Sequence, residues 1–295
     1  MHLFSILISQ IINGLQSGAI YALVALGYSM VYGIILLLNF AHGDIIMVGA
    51  YAVWFSMAHL GLHPIPSMLL AVAASTLLGV LIEKLAYTPL RSAPRLSLLI
   101  TAIGVSFLLE NSFQLIFGAG AQTVPNLISG PSLQVGSVTV SFSAMLTILV
   151  SVICMAGLTF LVQKTKLGKA MRAVSENMSA AQLMGISLNR TISFTFAMGS
   201  ALAGVGSVLY LCTYGQASPT MGSMLGLKAF VAAVLGGIGS LPGAMIGGFA
   251  IGLTEALVSA AGLSVWKDGA VFAILIVVLL VKPTGLLGKP MVEKV

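Results

Sequence analysis

The chain has 295 residues, of which 58% are hydrophobic and only 7% are charged. Soluble domains carry about 25% charged residues, so a soluble fold of this length is excluded and lipid must be the main solvent. The formal net charge of +6 does not indicate a nucleic-acid partner. The basic residues fall in connections between apolar segments, where they set membrane topology.

Apolar segments recur along the whole chain as candidate membrane helices. A helix needs about 20 apolar residues to span a bilayer. The candidates are residues 6–30, 43–60, 67–87, 97–117, 142–162, 191–210, 226–238, 242–261 and 269–281. Two of them are too short or too interrupted to be plain spans. The sequence therefore predicts one all-α integral membrane domain over residues 1–295, with about eight transmembrane helices and two discontinuous or re-entrant segments.

The distribution of Lys and Arg predicts the orientation. Basic residues cluster at three places, which are Lys84, Arg91 and Arg95, then residues 164–190, then Lys282, Lys289 and Lys294 in the tail. The connection 118–141 contains no Lys or Arg. Positive charge is retained on the cytoplasmic side, so we expect the three clusters in the cytoplasm and 118–141 outside. The side of the N-terminus is left open.

Polar or glycine-rich breaks interrupt two of the apolar runs. Residues 37–50, LLNFAHGDIIMVGA, resemble residues 234–248, VLGGIGSLPGAMIGG, as a weak internal repeat. Interrupted segments at corresponding places in two halves of a transporter indicate its pathway. Glycine-rich kinks also serve helix packing alone. The predicted pathway residues are Asn39, His42, Asp44, Gly236, Gly237, Gly239, Gly243 and Glu255.

The first break has a second interpretation that is compatible with the first. Asn39 or Asp44 could cap a broken helix, with His42 held by a backbone carbonyl.

Ionisable residues within apolar segments are expected to face the interior of the helix bundle. A charge at membrane depth costs about 2.5–3.5 kcal/mol, so Glu110 and Glu255 should face inward. Lys228 could partner Glu255 or extend to an interface. Lys267 and Asp268 are predicted to lie in a loop.

Residues 164–190 hold six charged residues and predict two short helices. Asn177 is the predicted elbow and could cap one helix, Ser179 and Gln182 match the capping box of a second, and Gly185 suits a helix end. Arg172 and Glu176 lie four apart and can pair, for about 0.5 kcal/mol.

An apolar stripe runs along this loop at spacings of three and four. It consists of Leu167, Met171, Val174, Met178 and Ala181. Such a stripe could dock another protein. It could instead lie on anionic lipid through Lys164, Lys166 and Lys169. The residues alone leave both open.

Two kinds of site are not expected. The phosphate-binding pattern G-x-x-x-x-G-K-[ST] does not occur, so we expect that the chain does not hydrolyse ATP. His59 and His63 are four apart, but Gly61 and Pro64 favour a loop there, and no metal site is predicted.

Four segments carry a family resemblance. They are residues 21–44 (YALVALGYSMVYGIILLLNFAHGD), 167–186 (LGKAMRAVSENMSAAQLMGI), 227–248 (LKAFVAAVLGGIGSLPGAMIGG) and 282–290 (KPTGLLGKP). Together they resemble the permease subunits of branched-chain amino acid ATP-binding cassette importers, most closely the first of the two permeases. The resemblance covers essentially the whole chain, and NFAHGD with GGIGSLPGA is specific to this group.

The resemblance implies a multi-pass permease of the bacterial inner membrane that is not an enzyme and binds no cofactor. It would move leucine, isoleucine or valine inward. Its implied partners are a second permease or a second copy, two cytoplasmic ATP-binding subunits and a periplasmic substrate-binding protein. Residues 164–190 would be the cytoplasmic coupling loop, and its docking residues would be Arg172, Glu176, Met178, Ala180, Ala181 and Gly185.

Two other functions are weighed against this one. Urea or short-amide permeases share the same motifs. A proton-coupled secondary transporter could use Asp44, Glu110 or Glu255 as proton carriers, but it would not need the basic loop.

Overall fold

The computed structural model describes residues 2–36, 38–91, 93–135 and 138–288. The tail lysines Lys289 and Lys294, and Leu37 at the start of the predicted repeat, lie outside the described residues. The α-helices are α1 (His2–Ile35), α2 (His42–Ala58), α3 (Pro64–Ile82), α4 (Arg95–Phe117), α5 (Phe142–Lys164), α6 (Lys166–Glu176), α7 (Met178–Leu183), α8 (Leu188–Tyr214), α9 (Met221–Gly236), α10 (Leu241–Ala260) and α11 (Lys267–Val281).

Short elements complete the described part of the chain. A π-helical turn, Glu83–Tyr87, extends α3, and a 3₁₀ turn, Ser264–Trp266, leads into α11. The strands are β1 (Gln122–Thr123), β2 (Leu133–Val135), β3 (Val138–Val140) and β4 (Gln216–Ala217). They form two small antiparallel pairs, β1 with β4 and β2 with β3.

Within the described part of the chain, seven helices are long and apolar enough to cross a membrane. They are α1, α3 with its π-helical turn, α4, α5, α8, α10, and α11 with its 3₁₀ turn. Helices α2 and α9 are also apolar but have only 17 and 16 residues. The prediction of an all-α integral membrane protein with two short segments is therefore confirmed.

Basic and uncharged connections lie at opposite ends of the bundle. At one end, Arg91 donates a hydrogen bond to Asn189, which joins the basic connection after α3 to the basic loop before α8. At the other end, Gln122 of the uncharged connection pairs with Ala217 after α8. This segregation is the pattern expected of a protein oriented by its positive charges.

The packing repeats between two halves of the bundle. Helix α1 lies along α10 as α3 lies along α8, and α2 crosses α9. Helix α2 packs on α3 and α8, while α9 packs on α10 and α1. Exchanging α1, α2 and α3 with α8, α9 and α10 preserves all these contacts. The break before α2 therefore matches the break before α9, rather than residues 237–240 as the predicted register had it.

Small residues allow the closest of these contacts. A Cβ added to Gly248 of α10 would lie 2.3 Å from the Ala22 backbone, and one on Gly252 would lie 2.3 Å from Gly18. Backbones that approach this closely gain dispersion contacts, which replace the hydrophobic effect inside a bilayer. The backbones of α1 and α10 are thus packed directly against each other.

Candidate functional site

The first turns of the two short helices meet in the middle of the fold. A Cβ on Gly43 of α2 would lie 2.2 Å from the Gly222 carbonyl oxygen, and 3.0 Å from the Gly226 Cα. Only glycine permits this approach. The predicted repeat leads to the expectation that residues 43–49 and 236–243 approach each other or each other's partner segments, but the nearest neighbours of Gly43 are Gly222 and Gly226, at the other end of α9 from Gly236.

Asn39 and His42 are buried beside this crossing and are held by other helices. The Tyr87 hydroxyl donates a 2.8 Å hydrogen bond to Asn39 Oδ1. The His42 ring hydrogen-bonds the Val24 carbonyl and packs edge-on against Tyr28, with ring centroids 4.8 Å apart. The expectation that a carbonyl holds His42 is therefore confirmed. Capping by Asn39 is not seen.

Asp44 lies in the first turn of α2 and is 1% exposed. Neither it nor any other side chain caps that helix, whose N-cap residue is Ala41. No basic side chain of the described residues pairs with Asp44, and its neighbours on α4 are the Ser106 hydroxyl, which hydrogen-bonds it, and Glu110. Glu110 is buried, as expected, and accepts a hydrogen bond from Ser223 in the first turn of α9. Sequence reasoning missed Ser106 and Ser223, because nothing in their local patterns marks them.

Glu255 forms the centre of a second polar cluster. Its Oε1 lies 2.7 Å from Lys228 Nζ, and its Oε2 accepts a 2.8 Å hydrogen bond from the Tyr21 hydroxyl. Lys228 also lies 2.7 Å from Asp268 Oδ1. The predicted loop at Lys267 and Asp268 is wrong, because both residues open α11. The cluster thus ties α1, α9, α10 and α11 together, and Glu255 is paired rather than free.

The second break, residues 237–240, is built from glycine and closed by the tail. The oxygen of Gly236 lies 2.3 Å from the position a Cβ would take on Gly243, and Ser240 caps α10 by accepting from the Gly243 N–H at 3.2 Å. Gly237 and Gly239 have φ values of 103° and 88°, in the left-handed region. Leu287 N–H bonds the Gly236 carbonyl at 2.9 Å, so the tail satisfies the end of α9.

Pathway and coupling candidates meet at a small cavity at the basic end. It has a volume of about 80 Å³ and is lined by α1, α5, α6 and the second break. Arg172 and Met171 of α6 line it together with Gly33 of α1 and Gly239. A shift of α6 would therefore reach the end of α1 and the second break directly.

The basic loop folds into the two expected helices. Asn177 is the elbow, and its Oδ1 accepts a 2.9 Å hydrogen bond from the Ala180 N–H. The cap is therefore Asn177 rather than the predicted Ser179. Gly185 has φ 83° and follows the end of α7, as predicted. Arg172 donates to the Gln163 carbonyl at 3.2 Å, and the structure shows no ion pair between it and Glu176.

Three of the five residues of the apolar stripe face inward, whereas Leu167 and Met178 are exposed. Met171, Val174 and Ala181 are 2%, 1% and 4% exposed because they pack on the bundle. The expectation that these residues form an open docking surface is therefore wrong, and Ala181 is a core residue. Arg172, Glu176, Met178, Ala180 and Gly185 are exposed. The largest exposed apolar side chains of the loop are Leu183 and Met184, at 88% and 82%.

Comparison with known proteins assigns the chain to a protein family. Residues 10–280 match the family described as branched-chain amino acid transport system, permease component. The chain belongs to this family.

Two relatives match at nearly full length. The chain is 42% identical over 300 residues to the high-affinity branched-chain amino acid transport system permease protein BraD of Pseudomonas aeruginosa, with 98% of each chain covered. It is 44% identical over 306 residues to the permease protein LivH of Escherichia coli K12, with 99% of each covered.

A more distant relative extends the likeness to an archaeon. The probable LivH of Methanocaldococcus jannaschii is 30% identical over 294 residues, with 93% of this chain and 91% of the relative covered. With its apolar helices, the chain is a transport permease and a multi-pass protein of the bacterial inner membrane.

Proposed function

We propose that this permease is the membrane channel subunit of an ATP-binding cassette importer for branched-chain amino acids. It binds no cofactor itself. ATP is bound and hydrolysed by two cytoplasmic subunits, a periplasmic binding protein delivers leucine, isoleucine or valine, and a second permease or a second copy completes the channel. The near full-length likeness to BraD and LivH is the observation that carries the substrate class.

The basic loop supports the ATP-driven mechanism. Residues 164–190 lie at the basic, cytoplasmic end, and their outer side presents Leu183 and Met184 beside exposed polar side chains. Large apolar side chains that protrude into water are typical of a docking surface. We assign this surface, defined by Arg172, Glu176, Met178, Ala180, Leu183, Met184 and Gly185, as the coupling surface for the ATP-binding subunits.

The mechanism follows from the contacts of α6. Its inner side packs on the bundle through Met171 and Val174, and Arg172 lines the cavity shared with Gly33 and Gly239. A docked subunit that moves the loop would move α6 as a body, since α6 is anchored by buried side chains. The displacement would reach the end of α1 and the second break, and through that break α9 and its crossing at Gly43 and Gly222.

Reconstitution tests the proposal. The permease is assembled with its partner subunits in proteoliposomes that enclose ATP, and uptake of labelled leucine is measured with the binding protein outside. Uptake is expected only when ATP and the binding protein are both present. Uptake that follows an imposed proton gradient without ATP would overturn the proposal in favour of a secondary transporter.

A further inference from the structure

The buried acids of this membrane protein divide into two groups. Among the described residues, Glu83 pairs with Arg91, while Glu255 and Asp268 pair with Lys228. Asp44 and Glu110 are also buried, but neither belongs to an ion pair that the described part of the chain contains. Charges inside a bilayer are normally paired with each other. The α2–α9 crossing therefore holds two acids that no basic side chain of the described residues pairs with.

The surroundings of these two acids consist of oxygen atoms. Ser106 and Glu110 of α4 face Asp44, the Tyr28 hydroxyl of α1 is hydrogen-bonded to the Gly43 backbone beside it, and Ser223 of α9 donates to Glu110. The nearest basic side chain on α9 is Lys228, which is already shared between two carboxylates. His42 is turned away toward Gly27 and Val24. Such a set of acceptors suits a ligand that carries several N–H donors and one positive charge.

We propose that Asp44 and Glu110 form a binding site for the α-ammonium group of the transported amino acid. The inference rests on the proposed function, because it takes a zwitterion as the substrate. An ammonium group has three donors, and two carboxylates with neighbouring hydroxyl groups can accept all of them. Asp44 is 99% buried, the neutral Ser106 hydroxyl is the side chain that reaches it, and no basic side chain of the described residues pairs with it, so its carboxylate lacks a cationic partner.

The start of α9 offers N–H donors for the carboxylate of the zwitterion. Helix α9 has no side-chain cap at its first turn, and this turn meets α2 at Gly43 and Gly222. Uncapped N–H groups at a helix start attract a carboxylate. Helix α4 carries Glu110 and is mostly exposed along its length. It is therefore the element whose displacement would open the acids to a substrate.

Leucine uptake per ATP hydrolysed tests the proposal in the assembled importer. Asp44→Asn and Glu110→Gln keep the shape of each side chain and remove its charge. Each is expected to lower leucine delivered per ATP by about 10- to 100-fold, the loss typical of a charge-assisted hydrogen bond. Hydrolysis stimulated by the loaded binding protein should persist, because the coupling surface is elsewhere. Ser56→Ala is the matched control, since Ser56 is buried in α2 but bonds only its own helix through the Val53 carbonyl.

The outcomes separate the possible sources of the positive charge. Normal uptake per ATP in Asp44→Asn would overturn the proposal. The amide has the shape of a protonated, neutral carboxyl group, so normal uptake would mean that the negative charge of Asp44 is not needed. Wild-type uptake that requires Na⁺ and fails in K⁺ or choline would also overturn it, by assigning the site to an inorganic cation. If Asp44→Asn fails to assemble, Glu110→Gln at the edge of the bundle decides by the same criterion. Absence of leucine uptake by the wild-type importer would refute the proposed function instead.

Discussion

Gly43 and Gly222 contact each other through their backbones where α2 crosses α9. A Cβ on Gly43 would lie 2.2 Å from the Gly222 carbonyl oxygen, and a Cβ on Gly222 would lie 2.7 Å from the Gly43 carbonyl oxygen. The contact is reciprocal because the two helices occupy equivalent positions in the two halves of the bundle. The two short helices are thus locked at the point where Asp44 and Glu110 lie.

Substitution at this crossing should disturb the whole fold. Gly43→Ala and Gly222→Ala place a methyl group against backbone that cannot move aside, and each is expected to destabilise the permease by about 1–3 kcal/mol or more. Thermal unfolding in detergent measures the effect. Gly104→Ala in α4 is the control, since a Cβ there has nothing within 4 Å and should change little. Equal unfolding temperatures for all three variants would contradict the close backbone contact between Gly43 and Gly222.

The sequence predicted the elements well and their long-range pairing poorly. Composition and hydropathy were enough to find the helices, because each span must be apolar by itself. The partner of Gly43 depends on which helices lie side by side, and local pattern does not contain that information. The predicted repeat was therefore found through its glycine-rich breaks but assigned the wrong register.

Lys228 forms ion pairs with two carboxylates, so its removal should lower the free energy of unfolding by more than the loss of a single ion pair would. Lys228→Met leaves Glu255 buried without its cation, and breaking a buried pair typically costs about 3–5 kcal/mol. We expect a large drop in the unfolding temperature. The double variant Lys228→Met with Glu255→Gln should recover part of it, since the buried charge is removed as well. A double variant less stable than the single one would show that the pairing contributes little.

Removing the hydroxyl group of two buried tyrosines should change the stability of the permease in opposite directions. The Tyr87 hydroxyl donates to Asn39, whereas the Tyr51 hydroxyl has no hydrogen-bond partner. Tyr87→Phe should destabilise the permease by about 1–3 kcal/mol, because the Asn39 oxygen loses its donor. Tyr51→Phe should be neutral or stabilising, because it removes an unsatisfied polar group. Denaturation of both variants in the same detergent checks the prediction, and equal losses would contradict it.

Reporter fusions should establish the orientation. A reporter active only in the cytoplasm should give signal at Met178 and none at Pro125, because the basic loop and the uncharged connection lie at opposite ends. Helix α1 ends at the cavity beside α6, so a reporter placed ahead of α1 should also be silent. Signal at Pro125 with silence at Met178 would reverse the orientation and remove the coupling surface from the cytoplasm.

The basic loop shows where local pattern misleads. The spacing of Met171, Val174 and Ala181 indicated an amphipathic face, and the structure confirms that these residues share one. Periodicity does not say what covers that face. Here the bundle covers Met171, Val174 and Ala181, so the residues left for a partner are the exposed ones, and Met178 of the stripe is among them. The Asn177 elbow and the Gly185 end were predictable because capping and left-handed turns are local.

The coupling surface predicts different outcomes for buried and exposed substitutions in the same loop. Ala181→Glu would place a carboxylate in the core and is expected to lower the unfolding temperature, because the charge has no partner there. Leu183→Ser with Met184→Ser should leave that temperature unchanged, since both side chains are in water. The double variant should instead lose the ATP-binding subunits on co-purification, with ATP-driven leucine uptake falling in parallel. Val265→Ser, which removes a side chain 94% exposed at the opposite end of the bundle, is the control and should retain both the ATP-binding subunits and leucine uptake.

Retention of the subunits and of full uptake by the Leu183 and Met184 variant would refute the assignment. The basic residues Lys164, Lys166 and Lys169 would then be the place to look, with a lipid surface as the partner of the loop.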